Sequence, residues 1–550
     1  MSDTNDNEVI QLDPTHAAFA ATDDVNMLGR THFIGIGGAG MSVLAEMLHE
    51  QGVDVDGSDR ERSMKTDRLT SLGINVEFGQ RAEHVAGAHT VVYSSAIKPD
   101  NPEIVAAHAA GAHIVHRSDI LALLMHGRRA VTVAGAHGKT TTSSMIAHIL
   151  THAGTGTLAD PSYAIGGSIQ GPDGSTLDGG HAGHGDVLVA EADESDGSFE
   201  KYQPTIAVVT NAEPDHLDHY GTAEHYHAAF VEHVGHALNH VVMCADDDGA
   251  LTVLRALEPA VAARTIVYST RPANEIGDLN GATLVRITSE SEHVGSGAER
   301  FTIDLPASVI GGNDSLSLPV QLVIPGLHNA RNATAAIIAS VLLGVDPHAA
   351  ANAVATFLGA ARRFQIRGTV AQVSVVDDYA HHPTEIAALL DAARRRYPQA
   401  TLHVLFQPHL FSRTKFFAHE FAQALAKADD VIVTGIFPAR EKQEDFPDVT
   451  ARTIVDAATD IAHEPAEQWI TAVDDMRTAA QMLAMRAHHG DVIFTVGAGD
   501  ITTMDDVLLH ALAAHRFDCP TGEESQNTTT AVNDSTSSVN SPSSNSVNGR

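Results

Sequence analysis

The chain is poor in cysteine, in positive charge and in long apolar runs. Its two cysteines, Cys244 and Cys519, offer neither a disulfide framework nor a CxxC metal site, which fits a reducing compartment. No apolar run could cross a bilayer and no signal segment opens the sequence, so we expect a cytoplasmic protein without a membrane partner. With 34 Lys and Arg against 69 Asp and Glu, the formal charge of −35 argues against a nucleic-acid partner.

A chain of 550 residues is too long for one ordinary hydrophobic core, so we expect several domains. Residues 1–28 are acidic and lack periodicity, which predicts a mobile arm. Residues 519–550 are mostly Ser, Thr, Asn and Gly, which predicts a disordered tail. Basic helix ends near residues 128 and 361 divide the folded part into 29–127, 128–361 and 362–518.

Short apolar, β-branched runs alternate with helical patterns along the folded part. Examples are HTVVYSSAI, AVTVAGAHG, DVLVAEADE, PTIAVVTNAE and VSVVDDYAHH. This alternation predicts an α/β fold with parallel, doubly wound sheets. Residues 265–325 break the rhythm with Pro, Gly, Ser and alternating strands, which predicts a β-rich insert in the middle domain.

A glycine-rich stretch, IGIGGAGMS, is the first candidate site. It contains Gly35-x-Gly37-x-x-Gly40 between a predicted strand and a helical pattern. In that context, backbone N–H groups at a helix N-terminus bind a diphosphate. Asp59 follows at about the spacing of a ribose-binding acid. Glycines that merely close the turn are the alternative, and the pattern leaves the identity of the ligand open.

A second loop, VTVAGAHGKTTTS, matches the Gly-Lys-Thr end of a phosphate loop, although Val133 stands where the first glycine would be. Gly135 and Gly138 free backbone N–H groups for phosphate oxygens, Lys139 supplies positive charge, and Thr140 offers a hydroxyl to Mg²⁺. A helix cap would explain Thr140. It would not explain a lysine in the first helical turn, where the dipole disfavours a cation.

Acids and a histidine follow two later strands. DVLVAEADESDGSF ends its strand at Glu191, which we assign to a metal ion, and we expect two of its four acids to be solvated. EPDHLD places His216 among acids at the next strand end. Ligands of open sheets gather at those ends. Imidazole suits Mg²⁺ or Mn²⁺ only moderately, and a structural histidine is the alternative.

Further polar clusters complete the set. PGLHNARNATAA places His328, Asn329 and Asn332 at a helix start, where they could read a nucleotide or cap the helix. Arg362 and Arg363 lie at the second boundary, where a cation could reach a γ-phosphate when domains close. DDYAHHPTE and FQPHLFSRTK follow apolar strands in the last third.

These motifs, in this order, resemble the Mur ligases over about residues 30–515. The resemblance implies a Rossmann-like N-terminal domain for a UDP-sugar, a central P-loop-type ATPase domain, and a Rossmann-like C-terminal domain that admits an amino acid. It implies ATP with Mg²⁺ or Mn²⁺ as cofactors, UDP-N-acetylmuramate and L-alanine as partners, and a role in peptidoglycan precursor synthesis. We expect a monomer or a homodimer.

The resemblance also implies residue roles. For the UDP-sugar these are Gly35, Gly37, Gly38, Gly40 and Asp59. For ATP they are Gly135, Ala136, His137, Gly138, Lys139, Thr140, Thr141, His328, Asn329 and Asn332. Metal ligands would be Thr140, Glu191 and His216, and the catalytic set Lys139, Glu191, His216, Arg363 and Asp378. The amino acid would meet Tyr379, His381 and Arg413. Two positions depart from the family pattern: Ala136 replaces the usual Thr, and Leu410 stands where some members carry Arg.

The implied reaction is ATP-dependent amide formation. The lactyl carboxylate attacks the γ-phosphate to give an acyl phosphate, and the amine of alanine then displaces phosphate. A sister ligase acting on a murein peptide would share nearly every motif. A nicotinamide oxidoreductase would leave the second loop unused, and a non-catalytic nucleotide-binding regulator would not need the C-terminal clusters. The motifs leave selectivity among alanine, glycine and serine open.

Overall fold

The computed structural model describes residues 10–171, 176–177, 179–289, 298–439, 441–463 and 468–514. The predicted tail, 519–550, lies outside the described residues, as do residues 1–9 of the predicted arm. None of the described helices combines the length and the apolar composition that a bilayer crossing requires. The described strands form three main sheets, one after another along the chain.

The first sheet has five parallel strands in the order β3-β2-β1-β4-β5. The strands are β1 Thr31–Ile34, β2 Val55–Asp59, β3 Asn75–Phe78, β4 Thr90–Tyr93 and β5 His113–His116. The helices are α1 Ala39–Glu50, α2 Met64–Ser71, α3 Pro102–Ala110 and α4 Arg117–Met125. All four residues of β1 are buried. The glycine turn lies between the end of this strand and the start of α1.

The central sheet has ten strands in the order β10-β7-β11-β6-β12-β13-β14-β15-β16-β17. They are β6 Arg129–Ala134, β7 Ser162–Ala164, β10 Gly180–His181, β11 Val187–Glu191, β12 Ile206–Val209, β13 His240–Cys244, β14 Thr265–Ser269, β15 Thr283–Ser289, β16 Glu299–Leu305 and β17 Leu316–Leu322. A separate antiparallel pair consists of β8 Ile169–Gln170 and β9 Thr176–Leu177.

Helices cover the central sheet on both faces of its buried strands. They are α5 Lys139–Ala153, α6 Leu217–Tyr220, α7 Ala223–Gly235, α8 Asp248–Ala256, α9 Pro259–Ala262, α10 Ala273–Ile276, α11 Ala307–Ile310, α12 Leu327–Leu343 and α13 Pro347–Val354. In the sheet order, the seven strands β7-β11-β6-β12-β13-β14-β15 run parallel, whereas β10 at the edge pairs antiparallel with β7. Parallel neighbours require crossover connections.

The segment predicted as a β-rich insert is the edge of this same sheet. Strand β14 and its neighbour β15 continue the parallel order, and β16 and β17 then turn back antiparallel. Alternate residues of β16, Phe301, Ile303 and Leu305, are buried, because one face of the strand packs against α12. The alternating pattern in the sequence therefore marks a half-covered sheet edge.

The third sheet has six strands in the order β18-β19-β23-β20-β21-β22, all parallel except β18. They are β18 Gln365–Val370, β19 Val373–Asp378, β20 Leu402–Phe406, β21 Asp430–Val433, β22 Ile470–Ala472 and β23 Val492–Val496. The helices are α14 Pro383–Arg396, α15 Phe411–Phe416, α16 Ala418–Leu425, α17 Ala451–Ala457, α18 Met476–Arg486 and α19 Met504–Ala514.

The mobile-arm prediction is wrong for residues 10–28, which make specific contacts. The Ala18 N–H donates to Asp119 at 3.2 Å, and the Lys201 ammonium donates to the His16 carbonyl at 3.1 Å. The Phe19 ring packs edge-on against a histidine of β5. Acidic composition hid these few anchoring contacts, since each depends on a residue about 100 or more positions away.

His403 in β20 lies buried between Asp430 at 3.0 Å and Asp491 at 3.2 Å. Burial lowers its pKa, but the two carboxylates outweigh burial and raise the pKa to about 9. When the pKa of a histidine is higher in the folded than in the unfolded chain, its charge stabilises the folded state. This stabilisation is complete at pH values below the unfolded-state pKa and is lost as the pH rises through the folded-state pKa. The window here runs from about 6.5 to about 9.

We therefore expect His403→Gln to lower the melting temperature at pH 6 and to have a much smaller effect at pH 9.5. Calorimetry of both proteins across this range measures the difference. His348→Gln, at an exposed position, is the matched control and should shift melting at neither pH. A deficit of equal size at both pH values would contradict a charged His403.

Candidate active site

A cavity of about 290 Å³ lies between the central sheet and the third domain. Both halves of the chain contribute to its wall. The predicted ATP residues among its lining are His137, Gly138, Thr140, Thr141, His328, Asn329 and Asn332. Arg363 and Asp378 line it from the linker and from the end of β19. Residues predicted from separate motifs therefore meet in one space.

The phosphate loop follows β6 and is held from the neighbouring strand β12. The Asn211 side chain accepts from the His137 N–H at 3.2 Å and donates to the His137 carbonyl at 2.8 Å. Gly138 has a φ of +84°, and a Cβ there would lie 2.8 Å from Asn332 Oδ1. Glycine is needed at this position both for the left-handed backbone and for the close approach of Asn332.

Lys139, the first residue of α5, binds a buried acid. Its Nζ lies 3.0 and 2.8 Å from the two oxygens of Glu194, whose side chain is 1% exposed. Burial lowers the pKa of Lys139, but the Glu194 charge outweighs burial and raises it. The lysine is therefore a charged group at the phosphate loop, and Glu194 is a site residue that the sequence analysis did not single out.

Two of the four acids from Glu191 to Asp196 were expected to be solvated; Glu191 and Asp193 are partly exposed, but the three acids after Glu191 all have protein partners. Asp193 binds Arg117 at 2.7 Å, and Glu194 and Asp196 are buried. Asp196 accepts a hydrogen bond from Ser95 of the first domain. Cations and hydroxyls from two domains neutralise this loop, and local composition could not show that.

Glu191, at the end of β11, fits a divalent cation. Its Oε1 is buried and has no hydrogen-bond partner among the described residues. Burial raises its pKa, while the Lys139 charge and the Thr140 hydroxyl act in the opposite direction. A carboxylate oxygen in that position, next to a threonine hydroxyl, is the donor set that Mg²⁺ prefers. The structure therefore brings together Thr140 and Glu191 of the predicted metal set.

His216, the third predicted metal ligand, lies in the loop between β12 and α6. Its Nε2 is 3.7 Å from Glu194 Oε1 and 3.8 Å from Asp215 Oδ2. It has a φ of +53° just before α6, an uncommon backbone conformation for a histidine. The imidazole thus faces the acid that binds Lys139, and its role as a metal ligand stays a prediction.

Another group of side chains could hold a cation at the boundary of the central and third domains. Ligand atoms of His137, Glu213 and His382 lie within 4.8 Å of one another. His137 lies 3.4 Å from Glu213 and 3.4 Å from Glu385. Burial lowers the pKa of His137, but the two carboxylates outweigh it and raise the pKa to about 9. A protonated His137 therefore accounts for this cluster without an ion.

Glu213 and Glu385 lie within the motifs EPDHLD and DDYAHHPTE, but the sequence analysis predicted no role for either residue. Sequence alone could not pair them with His137, because the three residues come from separate strand ends. The one sequence feature that could have identified Glu213 and Glu385 as site residues is that each closely follows a predicted strand end.

The predicted amino-acid residues belong to the third domain, where Tyr379 and His381 are sequence neighbours of the lining residues Asp378 and Ala380. Arg413, whose side chain is 9% exposed, binds both oxygens of Asp215 at 3.0 and 3.1 Å. His381 Nδ1 lies 3.2 Å from Glu385, and Tyr379 lies beneath the Arg363 guanidinium at 5.3 Å. The Arg413 guanidinium, which we expected to bind a substrate carboxylate, thus binds the carboxylate of Asp215 in this structure.

Asp378 joins the linker to this side. It accepts hydrogen bonds from the Phe364 N–H at 2.7 Å and the Ala380 N–H at 2.8 Å. Burial raises its pKa to about 6, against the opposing charge of Arg363. Asp378 therefore fixes the linker immediately after Arg363.

The first glycine loop is closed by the acid predicted to bind ribose. Asp59 Oδ2 accepts from the Gly37 N–H at 2.8 Å, and a Cβ on Gly37 would lie 2.9 Å from that oxygen. A separate cavity of about 120 Å³ lies between the helices α1 and α2 and residues 165–168 of the central domain. Ser42, Lys65 and Arg68 line it together with Glu46, whose carboxylate binds Arg68 at 2.6 Å.

Family models match three consecutive parts of the chain. Residues 30–129 match the Mur ligase family catalytic domain, residues 133–340 the Mur ligase middle domain, and residues 362–499 the Mur ligase glutamate ligase domain. The matched ranges coincide with the three sheets described above.

Curated relatives match over nearly the whole chain. UDP-N-acetylmuramate–L-alanine ligase of Bifidobacterium adolescentis is 74% identical over 93% of this chain and 98% of its own length. That of Bifidobacterium longum is 70% identical over 93% and 99%. The solved UDP-N-acetylmuramate-alanine ligase of Thermotoga maritima is 28% identical, with a TM-score of 0.68 over 88% of this chain and 99% of that one. A murein peptide ligase of Psychrobacter arcticus, 23% identical with a TM-score of 0.60, shares the fold.

Lys139→Ala should abolish ATP turnover and also lower stability, because it leaves the Glu194 charge buried and unpaired. Breaking a buried pair costs about 3 kcal/mol. Lys427→Ala, which removes an exposed pair with Asp391, is the control and should cost less than about 0.5 kcal/mol. Denaturant unfolding and an ATP assay measure the two effects. Wild-type turnover in Lys139→Ala would contradict the phosphate-loop assignment.

Proposed function

The chain belongs to the Mur ligase family, and from that premise we propose that it joins L-alanine to the lactyl carboxylate of UDP-N-acetylmuramate, using ATP, in peptidoglycan precursor synthesis. One structural observation supports this proposal: the phosphate loop, the start of α12 and Arg363 of the linker line one cavity, and Glu194 after β11 binds Lys139 of that loop. Relatives at 70–74% identity that bear this name support the choice of both substrates.

Binding must bring a carboxylate to a triphosphate, so positive charge has to be concentrated locally. Lys139 and Arg363 supply it from two domains, and the loop N–H groups after Gly135 supply hydrogen-bond donors. Thr140, Glu191 and His216 are the residues we propose to hold Mg²⁺, which would supply further charge neutralisation. His328, Asn329 and Asn332 at the start of α12 line the cavity, and we propose that they contact the nucleotide.

Two displacements then form the amide. An oxygen of the lactyl carboxylate bonds to the γ-phosphorus as the bond to the ADP oxygen breaks, giving an acyl phosphate and ADP. The neutral amine of alanine next bonds to the carbonyl carbon, the bond to phosphate breaks, and a proton leaves the nitrogen. Closure of the cavity around bound substrates would exclude water, which would otherwise hydrolyse the acyl phosphate.

Arg413 is the residue we propose to bind the carboxylate of alanine. Its Nη2 already donates to both oxygens of a carboxylate, that of Asp215. The substrate carboxylate would replace Asp215 on the guanidinium, which has five N–H donors in a fixed fork. Tyr379 and His381 lie on the same side, as expected for residues near the incoming amine.

The UDP-sugar is proposed to bind at the first glycine loop and the adjoining cavity. Helix α1 begins immediately after Gly38, so its first N–H groups face the end of β1. Lys65 and Arg68 line the cavity beside it, which gives an anionic sugar nucleotide cationic neighbours.

The decisive experiment measures phosphate release from ATP with UDP-N-acetylmuramate and, in turn, alanine, glycine, serine and the murein tripeptide, with product masses by mass spectrometry. We expect alanine to give the highest kcat/KM and a product one alanyl residue heavier than the sugar nucleotide. Faster turnover with the tripeptide would favour the sister ligase, and no turnover with any acceptor would refute the proposal.

Arg413→Ala should raise the KM for alanine by about 10- to 100-fold, because a bidentate carboxylate contact is lost. The KM for ATP should change by less than about twofold. Arg452→Ala, which removes an exposed arginine of the same domain, serves as the control. Steady-state kinetics with each substrate varied distinguishes the outcomes, and equal rises in both KM values would place Arg413 on the phosphates instead.

A further inference from the structure

We propose that Glu385 is a positioning residue that couples the ATP side of the cavity to its amino-acid side, an inference that rests on the function proposed above. Glu385 lies in the first turn of α14, its side chain is 7% exposed, and it lines the cavity. Its two carboxylate oxygens contact different sets of partners.

One oxygen faces the nucleotide side. Oε1 accepts from Arg363 Nη1 at 3.1 Å and lies 3.4 Å from His137 Nδ1. Arg363 comes from the linker and His137 from the phosphate loop of the central domain. This oxygen therefore fixes one cation from each side of the domain boundary.

The other oxygen faces the amino-acid side. Oε2 accepts from the His381 N–H at 2.9 Å and from the His382 N–H at 3.3 Å, and lies 3.2 Å from His381 Nδ1. These contacts cap α14 and orient His381, a residue placed near the incoming amino acid. A single carboxylate thus orients residues on the ATP side and on the amino-acid side of the cavity.

The charge of Glu385 is secure. Burial raises the pKa of its carboxyl, but His381, His137 and Arg363 outweigh burial and hold the pKa well below its usual range. The carboxylate therefore acts by position and charge and not by exchanging a proton. If the charge is lost, Arg363 and His137 lose their shared anchor, and the His381 loop loses its tie to them.

Glu385→Gln tests this role, because the amide keeps an oxygen for the His381 and His382 N–H groups but loses the negative charge toward Arg363 and His137. We expect kcat/KM to fall by about tenfold or more for ATP and for alanine alike, since misplaced reacting groups are costly. Values within about twofold of wild type for both substrates would overturn the proposal, as would a loss confined to one of them.

Thr453→Val is the matched control, because Thr453 completes the capping box of α17 in the same domain, away from the cavity. It should lower the melting temperature without changing kcat or KM. A Glu385→Gln variant that follows this control, less stable but kinetically normal, would show a purely structural role and overturn the inference.

Glu385→Asp keeps the test decisive if the glutamine variant does not fold. Its carboxylate is one methylene shorter and cannot reach both sets of partners, so at least a threefold loss of kcat/KM is expected for each substrate; wild-type values would overturn the proposal. An assay of the wild-type enzyme under the same conditions distinguishes a failure of the proposed function from a failure of this inference. If it fails to couple alanine, the proposed function fails; if it is active and the Glu385 variants match it, only this inference fails.

Discussion

The site depends on the order of three neighbouring parallel strands in the central sheet. Because β11, β6 and β12 lie side by side and point the same way, their carboxyl ends share one edge. That edge brings together Glu191 from β11, the phosphate loop from β6 and Asn211 after β12. An order in which β11 did not neighbour β6 would separate the Glu191 carboxylate from the Thr140 hydroxyl and from Lys139.

An acidic protein can bind acidic substrates because each cation of the site is fixed by a carboxylate. Lys139 binds Glu194, Arg363 binds Glu385, and Arg413 binds Asp215. These pairs compensate the cost of burying each charge before substrate arrives. They also set a condition for binding, since an incoming phosphate or carboxylate must share the cation with its resident acid or displace that acid. Local pairing therefore governs recognition, and the net charge of the chain does not.

Local signals predicted much of this arrangement from sequence. Glycine spacing and apolar runs identified both loops and the strands that precede them, because a turn before a helix is encoded within about ten residues. The anchoring of residues 10–28 and the pairing of His137 with Glu213 and Glu385 were not predicted. Those contacts join residues 76 or more positions apart, and nothing in the short-range pattern at either end distinguishes a paired acid from a solvated one.

Several contacts between the central and third domains are polar, which affects the cost of separating the two domains. Thr384 donates to Glu213 at 2.7 Å, Arg413 binds Asp215, and Arg395 binds Glu299 at 2.8 Å. Polar contacts exchange readily with water, so an interface built on them separates at a lower cost than an apolar one of equal area. Substrates that bridge the two domains would then supply the free energy of closure themselves. Closure driven in this way would keep water out of the cavity while substrates are bound.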